Sequence, residues 1–372
     1  MLRSEDHILA CINKFFPREH ERMSLGRGDD CAVMATPNAI CVSTDLFLED
    51  VHFRRSYFTP EEIGHKALAV NISDIAAMGA KPLALSMGLM LPKDIASDEL
   101  ERMMRGMADL ASRYHVALTG GDISRAASLG FSITIYGEAQ GLGEAQGLGG
   151  AQGLGEAQKK GTFLQRGQCH EGDIVFCIGD LGLARVGLLS LEGMGRAACD
   201  SYPTACQAHL MPQPLVEAGT VLATNFENLS LMDLSDGLAR DMPRLLGCGN
   251  GRTLGADMVI TTDMLHADLV AFAQQELMKE QPTTLAQATP TLLASTVASG
   301  AITDRAIHHA FMGGEDYALL GTCSPTDFAR LHNEFTGMPH APVVRRLGVV
   351  TSGPLRLNGR TVEQGGFDHF SS

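Results

Sequence analysis

The stretch PEEIGHKALAVNISDIAAMGAKPLALSMGLML, residues 60–91, predicts a helix that leads into a strand. Pro60 is followed by two glutamates, a combination typical of the first turn of a helix. Apolar side chains then recur at helical spacing as far as Gly79, and residues 82–91 form an apolar run of strand length. A helix followed at once by an apolar strand indicates a mixed α/β domain.

The chain on both sides of this stretch also alternates between strand and helix patterns. Before residue 139, strands are predicted at 31–35, 40–44 and 131–136, and an amphipathic helix at 97–114. After residue 160, strands are predicted near 174–179, 229–233, 256–260, 317–321 and 343–349. Helices are predicted there at 183–192, 214–225, 237–247, 304–312 and 325–336. The fold class is therefore α/β, with two mixed domains at 1–138 and 161–372. The stretch 280–303, rich in Thr, Ala and Ser, has no clear helix or strand pattern and is left unassigned.

A six-residue repeat separates the two predicted domains. Residues 139–158 read AQGLGEAQGLGGAQGLGEAQ, in which leucine is the only bulky apolar residue. Three copies of so glycine-rich a repeat bury little apolar surface. We interpret 139–160 as a flexible surface insertion.

Composition limits the partners. The 372 residues carry 43 acidic and 29 basic side chains and a formal net charge of -14. Nucleic acids and anionic membrane surfaces need a basic face, so we expect neither as a partner. A small phosphorylated ligand is compatible with this charge if metal ions mask the acidic groups.

The N-terminus and the cysteines indicate a cytoplasmic location. The first residues, MLRSEDHILACINKFF, lack the basic segment, apolar core and cleavage site of a secretory signal. No stretch is long and apolar enough to be predicted as a membrane span. Nine scattered cysteines without a CxxC pair are typical of reduced thiols.

Aspartates recur beside glycine or at predicted strand ends: Asp29, Asp30, Asp45, Asp74, Asp122, Asp233 and Asp236. Each one alone is also explained by a local preference of turns for Asp. Asp74 differs because its neighbours are nearly all apolar and Asn71 lies one helical turn before it. A poorly hydrated carboxylate is costly unless a cation or a donor compensates it, and a metal ion is the simplest compensation.

The chemistry of the aspartates selects the metal. Two bare carboxylates about 4 Å apart repel each other by roughly 4 kcal/mol at an effective dielectric constant near 20. Oxygen ligands without a Cys/His cluster favour Mg²⁺, which binds carboxylates together with substrate phosphates. The chain has no Walker A sequence, GxGxxG loop or protein-kinase motif set. If ATP binds, metal ions and glycine-rich turns replace the lysine of a P-loop.

Seven motifs resemble the thiamine-monophosphate kinase family, in order and along almost the whole chain. They are GDDCAV (28–33), STDLFLEDVHF (43–53), GHKALAVNISDIAAMGAKP (64–82), TGGDISR (119–125), DLSDGL (233–238), GGEDY (313–317) and GGFDHF (365–370). AAMGA and GGD alone also suit aminoimidazole ribotide synthetase, selenophosphate synthetase and a hydrogenase-maturation protein of the same superfamily.

The resemblance implies a fold, an assembly and a reaction. The fold is an N-terminal domain that pairs into a shared β-barrel in a homodimer, and a C-terminal α/β sandwich that completes the substrate site. The reaction is ATP-dependent phosphorylation of thiamine monophosphate to thiamine diphosphate with several Mg²⁺ ions.

Matching positions imply three sets of site residues. The metal ligands would be Asp30, Ser43, Thr44, Asp45, Asp74, Asp122, Asp233 and Asp236. The ATP contacts would be Gly121, Asp122, Arg166 and Ser235. The substrate contacts would be His52, Glu315 and Phe367, the last of which suits stacking on an aromatic ring. Each has a structural alternative: a core position for His52, a solvated charge for Arg166, a tail anchor for Phe367, turn positions for the others.

The predicted reaction needs no general base. A phosphate monoester has a second pKa near 6, so the acceptor is largely dianionic at neutral pH. Phosphoryl transfer then depends on positioning and charge neutralisation. We expect direct in-line transfer without a phosphoenzyme.

Three features depart from the family pattern: the repeat lies just before Arg166, Leu215 stands where the family usually has arginine, and residues 250–303 match poorly. Two alternatives therefore stay open. One is another ATP-dependent enzyme of the superfamily with a different acceptor. The other is a catalytically silent nucleotide- or metal-binding protein, which would be expected to have lost some of the aspartates.

Overall fold

The structure, a computed structural model, describes residues 4–27, 31–34, 36, 39–139, 163–247, 253–280, 299–335, 342–362 and 365, without the side chain of residue 332. Its contacts divide the chain into two compact units, 1–164 with 213–227 and 165–212 with 228–372. The repeat at 140–158, Asp30, Phe367 and most of the unassigned stretch 280–303 lie outside the described residues.

The first unit contains six strands and four helices among its described residues. They are α1 (Glu5–Phe15), β1 (Met23–Leu25), β2 (Val33–Met34), β3 (Ile40–Leu48), α2 (Pro60–Ala77), β4 (Ala80–Leu91), α3 (Ser97–Arg113), β5 (Ala117–Arg125), β6 (Gly130–Ala139) and, from later in the chain, α7 (Val216–Asn225).

An open four-stranded sheet organises this unit, in the order β3-β6-β4-β5. β6 pairs antiparallel with β3 and β4, whereas β5 runs parallel to β4. Helix α2 packs on one face of the sheet, in contact with β3, β4 and β6. That face is buried, and β3 and β5 are the edge strands. A barrel closed across two copies stays a prediction.

Helix α2 begins at a capping box. The Thr59 hydroxyl accepts the N–H of Glu62, and the Glu62 carboxylate accepts the N–H of Thr59, which satisfies two donors of the first turn. Nearly every residue from Ile63 to Ala77 is buried, because α2 lies between the sheet and helices α3 and α7. The expected helix at 60–79 is confirmed.

Helix α7 explains why the domain boundary differs from the sequence-based one. We expected all of 161–372 in the second domain, but 213–227 belong to the first unit. Gly219 lies so close to α2 that a Cβ there would be 2.1 Å from the carbonyl oxygen of Ala76. The hydroxyl of Tyr114 also donates to the carbonyl of Pro214 at 2.9 Å. These contacts hold the returning segment on the first unit.

The second unit is built on a seven-stranded sheet in the order β13-β12-β9-β11-β7-β10-β8. Its strands are β7 (Ile174–Ile178), β8 (Leu229–Leu234), β9 (Gly255–Met258), β10 (Ala318–Cys323), β11 (Val344–Thr351), β12 (Arg356–Leu357) and β13 (Arg360–Thr361). Its helices are α4 (Leu183–Met194), α5 (Ala198–Ser201), α6 (Pro203–Leu210), α8 (Leu238–Leu245), α9 (Ala267–Glu280), α10 (Ser299–Met312) and α11 (Pro325–Phe335).

The mixed α/β class is confirmed, and most predicted elements of the second unit lie within a few residues of the observed ones. Several elements were missed, among them β5, α6 and α9. The sequence TGGDISR is part of strand β5, although its glycines favoured a turn, and α9 was not predicted. None of the helices among the described residues is long and apolar enough to cross a membrane.

Candidate active site

A cluster of oxygen ligands lies where β3 meets α2. Side chains of a strand alternate between its two faces, so Ser43 and Asp45 share the face of β3 that α2 covers. Asp74, in the last turn of α2, reaches the same place: the Ser43 Oγ donates to its Oδ2 at 2.5 Å. Three predicted metal ligands, of which Ser43 and Asp74 are 31 residues apart in sequence, therefore converge.

Asp45 and Asp74 interact directly with each other. Burial, the negative charge of Asp74 and a hydrogen bond with Asp74 raise the pKa of Asp45 from 3.8 to about 7. Such a shift is expected when two carboxyl groups share one poorly solvated place and one proton holds them together. A divalent cation would replace that proton and compensate both charges.

The donors present fit Mg²⁺. Two carboxylates and a hydroxyl supply only hard oxygen ligands, which this ion prefers. The buried Oδ1 of Asn71, one turn before Asp74 on α2, receives no hydrogen bond from the described residues. Among all the described residues, no group of three or more His, Cys, Asp and Glu side chains is arranged to hold a metal ion. Further ligands would have to come from substrate phosphates, water or Asp30, whose position is not described.

Thr44 does not share this cluster. Its hydroxyl lies on the opposite, exposed face of β3, 2.8 Å from the hydroxyl of Thr134 on β6. Only its backbone could contribute a ligand on the α2 side.

Gly121 and Asp122 lie on β5, at the other edge of the sheet. Gly121 has a φ of +152°, and a Cβ there would be 1.8 Å from the carbonyl oxygen of Met87, so the position requires glycine. Asp122 is level with Leu46 of β3, but β6 and β4 lie between them. Three strand spacings correspond to about 14 Å. The first unit does not bring Asp122 to Asp45.

A cavity of about 270 Å³ opens beside Gly121 and Asp122, lined also by α1 and by Arg18 and Arg27. Burial and the charge of Arg18 lower the pKa of the Arg27 guanidinium. Among the described residues, its buried Nε has no hydrogen-bond partner. These two arginines suit an anionic ligand. Sequence reasoning missed them, and Arg27 lies directly before the GDD motif.

His52 is held in the loop that follows β3. Its Nδ1 accepts the N–H of Leu48 at 3.0 Å, and its ring stacks on Phe47 with centroids 5.9 Å apart. The ring is half-buried, so one of its sides packs in the core, as the structural alternative for His52 assumed. Its orientation is fixed by the protein before any ligand binds.

In the second unit, the DLSDG and GGEDY motifs form adjacent turns. Strands β8 and β10 pair antiparallel, with Leu234 opposite Ala318, so the end of one strand lies beside the start of the other. The N–H of Glu315 donates to the carbonyl of Ser235 at 2.7 Å. This arrangement therefore brings four predicted contacts to the same end of these two strands: Asp233, Ser235, Asp236 and Glu315.

Asp241 supports the DLSDG turn and was missed by the sequence analysis. Its Oδ2 accepts the N–H groups of Ser235 and Asp236 at 3.1 and 2.8 Å, and burial raises its pKa. Asp236 itself pairs with Arg244 at 2.5 Å, while Asp233 is only 3% exposed. Asp241 stands four residues after Gly237, in the first turn of α8. That position was the sequence signal for its role in the turn.

Asp316 fixes the GGEDY turn from the other side. Its carboxyl group accepts the N–H of Gly182 at 2.5 Å and that of Ala184 at 3.0 Å, at the start of α4. Burial raises the pKa of Asp316 to about 8, although these two donors act in the opposite direction.

Arg166 lies elsewhere in the second unit. Gln165, just before it, forms a bridge with Ser230, five residues before Ser235. Five strand residues span about 16 Å, and the Arg166 side chain is exposed. The structure does not place Arg166 beside Ser235.

Comparisons with known proteins identify the class. Residues 28–139 match the family model for AIR synthase related protein, N-terminal domain. The motifs at Asp45, Asp74 and Asp122 all fall inside the matched range. The first unit therefore carries an AIR-synthase-type domain.

Whole-chain comparisons identify the family. A thiamine-monophosphate kinase of Bacillus subtilis (strain 168) is 30% identical over 373 residues, covering 96% of this chain and 98% of that protein. The crystal structure of the thiamine-monophosphate kinase of Stenotrophomonas maltophilia K279a is 26% identical with a TM-score of 0.71, covering 96% and 98% of the two chains. The chain belongs to the thiamine-monophosphate kinase family and is a phosphotransferase that acts on a phosphate group.

A solved structure of the same fold contains ligands. AaThiL complexed with AMPPCP and TMP shares the fold, with a TM-score of 0.65, 23% identity and coverage of 100% of this chain and 99% of that chain.

Proposed function

We propose that this enzyme transfers the γ-phosphoryl group of ATP to thiamine monophosphate, giving ADP and thiamine diphosphate, in a Mg²⁺-dependent reaction. The observation that carries the proposal is the convergence of Ser43, Asp45 and Asp74 in a chain of the thiamine-monophosphate kinase family. A protein of the same fold complexed with AMPPCP and TMP supports the choice of both substrates.

Asp45, Asp74 and Ser43 would hold one Mg²⁺ on the first unit, with Asp30 and the backbone of Thr44 as further ligands, and Asp122 on β5 would hold a separate Mg²⁺. Bound there, the ion would neutralise phosphate charge, which is the main obstacle to bringing two polyanions together. Asp233 and Asp236 would supply metal ligands from the second unit. No residue is assigned as a general base, because the acceptor phosphate is already ionised at neutral pH.

Nucleotide binding is assigned to Gly121, Asp122, Ser235 and Arg166. Gly121 and Asp122 line the cavity beside β5, and Arg18 and Arg27 add positive charge to the same cavity, which suits a phosphate. Arg166 is exposed, so its long side chain can reach a ligand without losing packing. The transfer itself would be a direct in-line displacement, with no phosphoenzyme.

The acceptor is assigned to His52, Glu315 and Phe367. His52 presents a fixed ring, and the Glu315 carboxylate complements the positive charge of a thiazolium ring. Phe367, outside the described residues, would stack on an aromatic ring of the substrate.

We also propose a cytoplasmic homodimer. Val42 and Leu46 are more than half exposed on the face of β3 that α2 does not cover. Exposed apolar side chains along an edge strand favour pairing with a second copy. This face is where two sheets would close into a shared barrel.

The test is a transfer assay with the purified protein, ATP and thiamine monophosphate across a range of Mg²⁺ concentrations. Thiamine diphosphate and ADP are quantified by chromatography, and equimolar formation that depends on Mg²⁺ is expected. ADP formation only with a different acceptor would replace thiamine monophosphate by that acceptor. Nucleotide binding with no turnover on any acceptor would disprove the assignment of a kinase reaction.

A further inference from the structure

A buried histidine contacts the Glu315 carboxylate from helix α6. The Nδ1 of His209 lies 3.0 Å from Oε2 of Glu315, and the His209 side chain is 1% exposed whereas that of Glu315 is 24% exposed. The contact therefore joins the interior of the second unit to a carboxylate that solvent reaches.

The histidine is held at this position by helix packing. Helix α6 packs closely on α4 at Gly187, where a Cβ would be 2.1 Å from the carbonyl oxygen of Ala205 and 2.9 Å from the Cβ of His209. Any larger residue at position 187 would push α6, and with it the imidazole, away from Glu315. The ring consequently has little freedom to move.

The backbone of Glu315 is fixed as well. Its φ is +67°, in the left-handed region that a non-glycine residue adopts only under constraint. Its N–H bonds to Ser235, and the next residue, Asp316, is bound at the start of α4. With the main chain fixed on two sides, the side-chain torsions of Glu315 are its main remaining freedom, and the imidazole restrains them.

The chemistry of the pair defines the direction of the hydrogen bond. An ionised carboxylate only accepts, so Nδ1 of His209 carries the hydrogen and donates it to Oε2. A carboxylate has about four acceptor positions, so the bond to the imidazole does not by itself saturate it. Such a partner orients a ligand-binding carboxylate without touching the ligand.

We infer that His209 is a positioning residue, which orients the Glu315 carboxylate for the cationic thiamine part of the acceptor. This inference rests on the proposed function, because it assigns His209 a role in binding thiamine monophosphate. The residue acts through Glu315 and not on the transferred phosphoryl group. Its loss should raise the KM for thiamine monophosphate and leave kcat and the KM for ATP nearly unchanged.

Two variants of similar shape separate the hydrogen bond from packing. His209→Leu fills the site without a donor, whereas His209→Asn places an amide N–H near the position of Nδ1. We expect His209→Leu to raise the KM for thiamine monophosphate about tenfold, the effect of losing roughly 1.4 kcal/mol. His209→Asn should recover most of that loss, which a purely structural role would not predict.

A double-variant cycle and a matched control complete the experiment. His209→Leu in a Glu315→Gln background should add little to the effect of Glu315→Gln alone. His309→Leu removes another buried histidine of the second unit, which pairs with Glu276 at 2.6 Å. That control should lower the melting temperature without a selective rise in the KM for thiamine monophosphate. If His209→Leu does not fold, His209→Gln, which moves the donor by one bond, takes its place with the same expected rise.

The outcomes are distinct. An unchanged KM for thiamine monophosphate in the His209 variants overturns the positioning role, and so does an equal change in all constants that His209→Asn fails to reverse. In either case the wild-type enzyme still produces thiamine diphosphate, so the proposed function survives. Absence of thiamine diphosphate from the wild-type reaction overturns the function and this inference together.

Discussion

The hydroxyl of Ser43 donates a hydrogen bond to the Asp74 carboxylate at 2.5 Å, and this bond joins strand β3 to the last turn of α2. Asp45 lies on the same face of β3 and interacts with the same carboxylate. Asp74 is thus the residue through which the helix and the strand form one site, and its substitution tests the site most directly.

Asp74→Asn should reduce transfer activity by roughly 10²–10³-fold, because the amide has the shape of the carboxylate but not its charge. The fold should persist, since Ser43 can still donate to the amide oxygen. Initial rates and circular dichroism are the measurements. Asp109→Asn on the exposed side of α3 is the control, and it should keep full activity. Normal turnover in Asp74→Asn would remove this residue from the metal site.

The shared proton of Asp45 and Asp74 predicts a pH dependence of Mg²⁺ binding. The pKa of Asp45 is about 7 in the metal-free protein, so Mg²⁺ must displace a proton below that pH. Affinity measured by calorimetry should rise up to about tenfold per pH unit below pH 7 and level off above pH 8. Asp45→Asn should weaken binding and abolish this dependence; a steep dependence that persists in Asp45→Asn would assign the proton to another group.

The same shift has the opposite effect on metal-free stability. A folded pKa above the ordinary 3.8 means that the folded protein holds an extra proton between these values. Its contribution to the free energy of unfolding is therefore present at low pH and is lost as the pH rises through 7. Thermal unfolding of the Asp45→Asn variant between pH 5 and 8 should show a flatter profile than the wild type.

Sequence reasoning found what local pattern and motif spacing determine. Helix α2 was predicted because its capping residues and apolar periodicity agree, and Asp74 was singled out because a carboxylate among apolar neighbours needs compensation. It missed β5 because glycine favours turns locally, whereas pairing with β4 keeps Gly121 extended. His209 and Asp241 were missed for a related reason: each is defined by a partner that only the folded chain brings near.

The face of β3 opposite α2 predicts the oligomeric state. Leu46 is 53% exposed there, and Leu46→Glu would place a charge inside the proposed contact between two sheets. We expect light scattering after gel filtration to show a dimer for the wild type and a monomer for this variant. Val259→Glu is the control, because Val259 is equally exposed but lies in the second unit. A wild-type monomer would contradict the shared barrel.

Asp316 predicts a stability effect separate from the metal site. Asp316→Ala leaves the N–H groups of Gly182 and Ala184 without their acceptor, which costs about 1–3 kcal/mol for a buried donor. Asp316→Asn keeps one acceptor oxygen and should lose less. Urea unfolding followed by circular dichroism measures both variants, and equal stability of the alanine variant and the wild type would show that water replaces the carboxyl group.

Two glycines allow α2 and α3 to pack closely. A Cβ at Gly64 would be 1.9 Å from the carbonyl oxygen of Met103, and one at Gly106 would be 2.0 Å from that of Glu61. Alanine normally favours a helix over glycine by about 1 kcal/mol, but overpacking costs typically about 1–3 kcal/mol. Gly106→Ala should therefore lower the melting temperature and, because α2 carries Asp74, also reduce activity.

Gly193 provides the matched control for this substitution. It lies in α4, and no described atom comes within 4 Å of a Cβ built there. Gly193→Ala should leave activity unchanged and keep or slightly raise the melting temperature, because only helix propensity changes. The two variants, compared by thermal unfolding and initial rates, separate close helix packing from propensity. A stabilised, fully active Gly106→Ala protein would mean that α2 and α3 can move apart without disturbing Asp74.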